Sequence, residues 1–236
     1  MAPFLIVKVG GALPEVAATL GDFEEWFRNG LGIPEARVVD VRDGSALPEA
    51  ETLGGVLITG SASMVTARAP WSVRTAEWIP SVLAAEVPLL GVCYGHQLIA
   101  DALGGTVAPN PRGRQIGTIE VTTCSSDDPL LSSVPEVFQV QATHVESVVE
   151  LPPGVASAAT SPRDDHHAFR VGERAWGVQF HPEMDASIIR SCIRVRAEEL
   201  RAEGIDPEEA AAAATDTDHG RTLLRRFAEL AGFARA

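Results

Sequence analysis

Over the first hundred residues the apolar positions come in short, largely apolar runs, separated by stretches of helical spacing. Residues 4–9 (FLIVKV), 37–41, 55–59 and 88–92 are such runs. A strand apolar on both faces is one covered on both faces, as in the parallel sheets of α/β proteins. Between the runs, residues 16–30 place Phe23, Trp26 and Phe27 on one face, and residues 72–86 and 95–103 also read as helices. The middle of the chain differs. Segments 117–123, 137–142, 147–149, 155–159, 168–171 and 175–180 are short strand candidates set apart by Pro, Gly and Asp, with a hairpin turn expected at 172–175. The end is helical again. Ile188, Ile189, Cys192, Ile193 and Leu200 recur at helical spacing up to Gly204. Asp206-Pro207 reads as an N-cap with proline in the first turn, and Leu223, Leu224, Phe227 and Leu230 mark a last amphipathic helix. The pattern predicts an α/β fold: a mostly parallel central sheet flanked by helices, with an antiparallel excursion and C-terminal helices. The division expected is a main domain over residues 1–185 and a helical extension over 186–236, packed on the same domain.

Charge and cysteine usage narrow the class. Nineteen basic against 32 acidic residues give a net charge of -13, a surface that repels phosphate backbones and anionic membranes. Neither nucleic acid nor a membrane is an expected partner. The short apolar start lacks the basic region of a signal peptide, and no run approaches the roughly 20 residues needed to span a bilayer. Cys93, Cys124 and Cys192 form no disulfide framework and no Cys-x-x-Cys pair, which fits the cytoplasm.

Within PLLGVCYGHQLIADALGG, residues 88–105, Cys93 sits between a strand candidate and a helix candidate, flanked by Gly91 and Gly95. That is the spacing of a nucleophile elbow, in which small neighbours let the backbone turn tightly. The sulfur would stand above the sheet edge, near a helix N-terminus that favours thiolate. A thiolate nucleophile needs a base, and the base needs an orienting group. His181 ends a strand candidate and Glu183 lies two residues on, so both can point the same way. Cys93, His181 and Glu183 are therefore the candidate nucleophile, base and orienter.

GVCYGHQL together with GVQFHPE strongly resembles the class I glutamine amidotransferases, which carry a Cys-His-Glu triad on a flavodoxin-like α/β domain. VLITGSASMV resembles the family's oxyanion loop. LGGTVAPNPRGRQIG and QATHVESVVELPPG resemble segments of free-standing members that look like the glutaminase part of GMP synthase. The resemblance makes residues 1–185 the catalytic domain and implies roles. Cys93 would attack the γ-amide carbon of glutamine, release ammonia and leave a γ-glutamyl thioester. His181 would protonate the leaving amine and then activate water, oriented by Glu183. The oxyanion would rest on backbone N–H groups of Tyr94 and of Ser61 or Gly60. Gln97 matches a substrate contact, and His144, Val145 and Glu146 match a segment lining the same pocket. No cofactor and no metal is implied. The partners implied are L-glutamine or a γ-glutamyl compound and a synthetase acting in trans.

The sequence departs from the family in two places. The oxyanion loop is commonly Gly-Gly-Pro and here is Gly60-Ser61-Ala62. Gln115 stands where relatives often carry Glu, and reads equally as a solvated loop residue. No synthetase segment or P-loop is recognised, so the acceptor of the ammonia is expected on another chain. A γ-glutamyl hydrolase acting on small conjugates with the same triad is the first alternative, and a non-catalytic binding or regulatory module on this fold the second. Asp164-Asp165-His166-His167 reads either as metal ligands or as a solvated turn, and with no second ligand cluster the turn is preferred. Cys124 and Cys192 read as core, and Trp71 and Trp78 as packing residues.

Overall fold

Five parallel strands form one half of the central sheet; all but the edge strand, which is Arg-Val-Val-Asp, are largely buried apolar runs. They are β1 (Phe4–Lys8), β2 (Arg37–Asp40), β3 (Gly55–Ile58), β4 (Leu89–Val92) and β11 (Ala175–Val178), in the order β2-β1-β3-β4-β11. The sheet continues antiparallel through β10 (Asp164–Val171), β9 (Ser157–Ser161), β6 (Gln115–Thr123) and β7 (Val137–His144). A separate antiparallel pair joins β5 (Thr106–Pro109) to β8 (Glu146–Glu150). This computed structural model describes residues 2–233, so residue 1 and residues 234–236 of the two expected segments lie outside it.

Two apolar clusters cover the two faces of the parallel half. One holds Ile6, Leu57, Leu90 and Val92 with α1 (Pro14–Leu20), α2 (Phe23–Leu31), α5 (Ala186–Val195) and α8 (His219–Leu230). The other holds Leu5, Val7, Val56, Ile58 and Leu89 with α3 (Pro70–Ala84) and α4 (Tyr94–Ala102). Neighbouring residues of one strand thus enter opposite clusters, as the side-chain alternation of a strand requires. Two short helices, α6 (Ala197–Ala202) and α7 (Pro207–Ala213), complete the C-terminal region. No helix among the described residues is long and apolar enough to cross a membrane.

Several boundaries differ from the sequence expectation for local reasons. The single helix expected over 16–30 is two, because Gly21 takes φ 83° and Asp22 starts α2 with a capping box closed by Glu25. Cys124 is exposed rather than core, since β6 ends one residue before it. Residues 164–167 are not a turn but the start of β10, where Asp164 and His167 are buried; a bulge in the β9–β10 pairing interrupts the alternation there.

The corner between β4 and α4 is a tight point of the fold. Cys93 has φ 51° and ψ −99°, a conformation that costs a non-glycine residue about 1–3 kcal/mol and persists only where the surroundings enforce it. Here they do. The Cys93 N–H bonds to the Val178 carbonyl at 2.9 Å, the Gly95 N–H reaches the Thr59 carbonyl at 3.2 Å, and the Gln97 N–H closes the first turn on the Cys93 carbonyl at 3.0 Å. A Cβ on Gly91 would lie 2.5 Å from the Gly95 backbone, and one on Gly95 would lie 2.5 Å from the Ile58 carbonyl oxygen. Both glycines are required by backbone approach, which no side-chain rotation relieves. Gly95→Ala is therefore expected to lower stability by about 1–3 kcal/mol through overpacking. Urea unfolding checks this, and an unchanged midpoint would contradict the close backbone packing at this corner.

Candidate active site

The elbow leaves Cys93 at the C-terminal edge of the parallel strands, at one wall of a cavity of about 300 Å³. Tyr94, Gln97, Ser61, His144, Val145 and Glu146 line the same cavity, so every expected pocket residue except Gly60 meets Cys93 there. Gly60 lies under the histidine instead: a Cβ on it would come within 2.9 Å of His181 Cε1. The Tyr94 N–H, at the first position of α4, has no backbone acceptor among the described residues, and neither has the Ser61 N–H. Ser61 does not take a positive φ, so this loop holds serine without left-handed backbone strain.

His181 and Glu183 follow β11 and are buried against the same corner. His181 Nδ1 and Glu183 Oε1 are 2.6 Å apart, with side chains 3% and 0% exposed. The Cys93 sulfur acts on the His181 ring electrostatically, and ring Nδ1 is committed to Glu183. Burial by itself would push the imidazole toward its neutral form. The Glu183 carboxylate and the Cys93 sulfur outweigh that and raise the His181 pKa to about 10. Phe23 lies nearly parallel to the ring, centroids 6.1 Å apart. The backbone is fixed from the far edge of the sheet: the His181 N–H bonds to the Gln141 carbonyl of β7 at 2.8 Å. Thus β7 curls back over the ends of the parallel strands, and its Thr143 carbonyl comes 4.0 Å from Cys93 Sγ.

Glu146 ties the cavity to the loop after β3. Its Oε2 accepts the Val65 N–H at 3.0 Å and its Oε1 accepts the Thr66 hydroxyl, while its carbonyl receives Gln97 Nε2 at 2.8 Å. Gln97 Nε2 also donates to Gln179 Oε1 at 3.0 Å, so its amide hydrogens are used within the protein. At the other end of the loop, Thr59 Oγ1 accepts the Val9 N–H at 3.1 Å. The segment carrying Ser61 is therefore pinned on both sides.

Gln115 is buried in β6 opposite His144, not in a solvated loop. His144 Nδ1 lies 3.0 Å from the Glu146 carbonyl and Nε2 lies 3.1 Å from the Gln115 amide. Burial pushes the His144 pKa down to about 4, so the ring is neutral, with Nδ1–H donating. Nε2 is then an acceptor, which requires Gln115 to turn its NH₂ toward it. His144, Asp164 and His167 bring one donor atom each within 4.8 Å of one another. Because both His144 nitrogens are already bonded, a cation there would find two ready ligands rather than three. His96 is fully buried against Phe169, and burial lowers its pKa to about 3.

Arg114, Arg196 and Glu199 complete the cavity and were not foreseen. Arg114, just before β6, pairs with Glu203 at 2.7 Å and Glu199 at 3.2 Å; Arg196 pairs with Glu199 at 3.0 Å. Arg196 and Glu199 are a local i,i+3 pair; Arg114 reaches Glu199 and Glu203 only because the C-terminal helices fold over the mouth, which no local sequence signal marks. Cys192, on α5, is buried as expected, and burial raises its thiol pKa to about 11.

A nucleophile elbow on a doubly covered sheet, facing a carboxylate-held histidine, defines a class of thiol-centred α/β sites. The family model "Glutamine amidotransferase class-I" matches residues 35–191, and the chain belongs to that family. Within it, one subunit of the glutamine-hydrolysing GMP synthase of Haloarcula marismortui is 35% identical over 147 residues, covering 62% of this chain and 72% of that protein. The glutamine-hydrolysing GMP synthase of Parafrankia sp. is 44% identical over 110 residues, which is 44% of this chain and 20% of that protein. The chain thus matches only about a fifth of the length of that relative. In fold, it is similar to a glutamine amidotransferase of Thermotoga maritima (TM-score 0.75, 23% identity, 97% and 99% of the two chains covered). It is also similar to a protein of Thermoplasma acidophilum described as a GMP synthase subunit (TM-score 0.67, 19% identity, 98% and 95% covered).

Replacing Glu146 by Ala would leave the buried Val65 N–H and the Thr66 hydroxyl without their acceptor, a loss of about 1–3 kcal/mol. Hydrogen exchange at Val65 should accelerate in Glu146→Ala. Exchange as slow as in the parent would show that the loop is held by something else.

Proposed function

We propose that the chain is a glutaminase that opens the γ-amide of glutamine through a thioester on Cys93. The observation that carries this is the 2.6 Å His181–Glu183 pair set against the elbow cysteine at the cavity. Cys93 attacks the amide carbon as thiolate, and the oxyanion that forms rests on the N–H groups of Tyr94 and Ser61. His181, held protonated by Glu183, gives its proton to the departing nitrogen, and ammonia leaves. It then takes a proton from water as water attacks the thioester, and glutamate is released. Gln97, His144, Val145 and Glu146 shape the acyl side. Gly60 gives the His181 ring its place.

Residues 1–185 act as the catalytic domain and residues 186–236 as a helical extension of the same unit, since Arg196, between α5 and α6, and Glu199 of α6 supply part of the cavity rim. The relatives described as GMP synthase subunits favour a synthetase partner in trans that consumes the ammonia. Three free cysteines are in keeping with the cytoplasm. The γ-glutamyl hydrolase alternative draws on a specific observation, a second, largely apolar-walled cavity beside His181. A non-catalytic module has none in its favour.

Cys93→Ala should lower glutamine turnover by at least about a thousandfold while thermal unfolding stays cooperative. Glutamate release by the variant at the parent rate would contradict the thioester mechanism.

A further inference from the structure

We infer that the site includes a separate leaving-group subsite, which admits γ-glutamyl amides whose nitrogen carries a short apolar substituent. This rests on the roles just proposed for Cys93 and His181. A second cavity, of about 50 Å³, adjoins the first. The two share Ser61, Ala62, Thr143 and Arg196 in their walls but divide the reacting pair: Cys93 lines the larger and His181 the smaller. Gln97 and Glu146 line only the larger cavity, whereas Ala12, Phe23, Trp26 and Met184 line only the smaller.

The chemistry decides which end of a substrate belongs where. The sulfur bonds to the carbonyl carbon, so the glutamyl chain extends through the cavity that holds Cys93. The breaking C–N bond places the nitrogen beside His181, which protonates it. Any group on that nitrogen must then project past the ring, into the smaller cavity. Ammonia has no such group and gains nothing from an apolar wall. The part of the wall that belongs to the smaller cavity alone is nonetheless apolar apart from His181. Phe23 covers the His181 ring and meets Trp26 edge-on, with centroids 5.4 Å apart. The Trp26 indole N–H is already spent on the Leu20 carbonyl at 2.7 Å, so it offers carbon surface. By volume, the space takes roughly three or four water-sized groups, the size of an ethyl or propyl chain. The net reaction is γ-glutamyl alkylamide plus water giving glutamate and the alkylamine. The amine nitrogen receives its proton from His181, and water restores that proton as the thioester is hydrolysed.

The test measures glutamate release by the full chain from L-glutamine, γ-glutamylethylamide and γ-glutamyl-n-propylamide. The wild type is expected to cleave both alkylamides, with kcat/KM rising from glutamine to the longer chain. Ala12→Val and Ala12→Leu, which fill the smaller cavity, should cut the propylamide-to-glutamine ratio of kcat/KM by roughly tenfold or more. The ratio is internal to each protein, and the wild-type series stands without either variant. A wild type that turns over glutamine alone, or a ratio unmoved by both substitutions, overturns the subsite. Glutamine turnover that survives Cys93→Ala, or a wild type inert to all three amides, overturns the underlying mechanism as well.

Discussion

Everything at this site turns on a buried charge arrangement: a histidine that keeps its proton because a carboxylate and a sulfur sit against it. Removing a cation from water is expensive, and burial alone would leave His181 neutral. The Glu183 oxygen at 2.6 Å and the neighbouring Cys93 reverse that preference. The folded-state pKa of about 10 lies above the ordinary 6.5, so the pairing stabilises the fold fully below pH 6.5. That contribution is lost as pH rises through about 10. The other buried histidines of the region behave oppositely. At His96 and His144 burial outweighs the Asp164 carboxylate, so they are pushed down to about 3 and about 4 and contribute fully only above pH 6.5. One small region thus holds a charged imidazole beside neutral ones.

The fold serves this arrangement from both halves of its sheet. The parallel half supplies the elbow, where Gly91 and Gly95 permit the Cys93 corner, and β11 delivers His181 and Glu183 beside it. The antiparallel half folds back so that Gln141 holds the His181 backbone and the β7–β8 junction presents His144 and Glu146 to the cavity. Glu146 in turn pins the loop of Ser61, and Glu199 of α6 and Glu203 just after it close the mouth through ion pairs to Arg114. Each contact has a partner distant in sequence, which is why the site requires the whole chain rather than one motif.

The same division explains what could be read from sequence. Short-range features were legible: the elbow needs two glycines around one cysteine, and a histidine and glutamate two residues apart can share a direction. The parallel strands were legible because burial on both faces leaves largely apolar runs. Features that depend on long-range closure were not. Gln115 looked like a solvated loop residue until β6 paired with β7 and set it against His144. Asp164 and His167 looked like a turn because a bulge hides the alternation that marks a strand. Arg196 and Glu199 are local neighbours, but nothing local links them to Arg114, which meets Glu199 only when the C-terminal helices dock.

The most direct test of the buried charge arrangement is a titration of the His181 imidazole by nitrogen-15 NMR in the wild type and in Glu183→Gln. The wild-type ring should stay charged through neutral pH and release its proton near pH 10, with a clearly lower value in the variant. A wild-type His181 that titrates near the ordinary 6.5, or one indifferent to loss of the Glu183 charge, would contradict that arrangement.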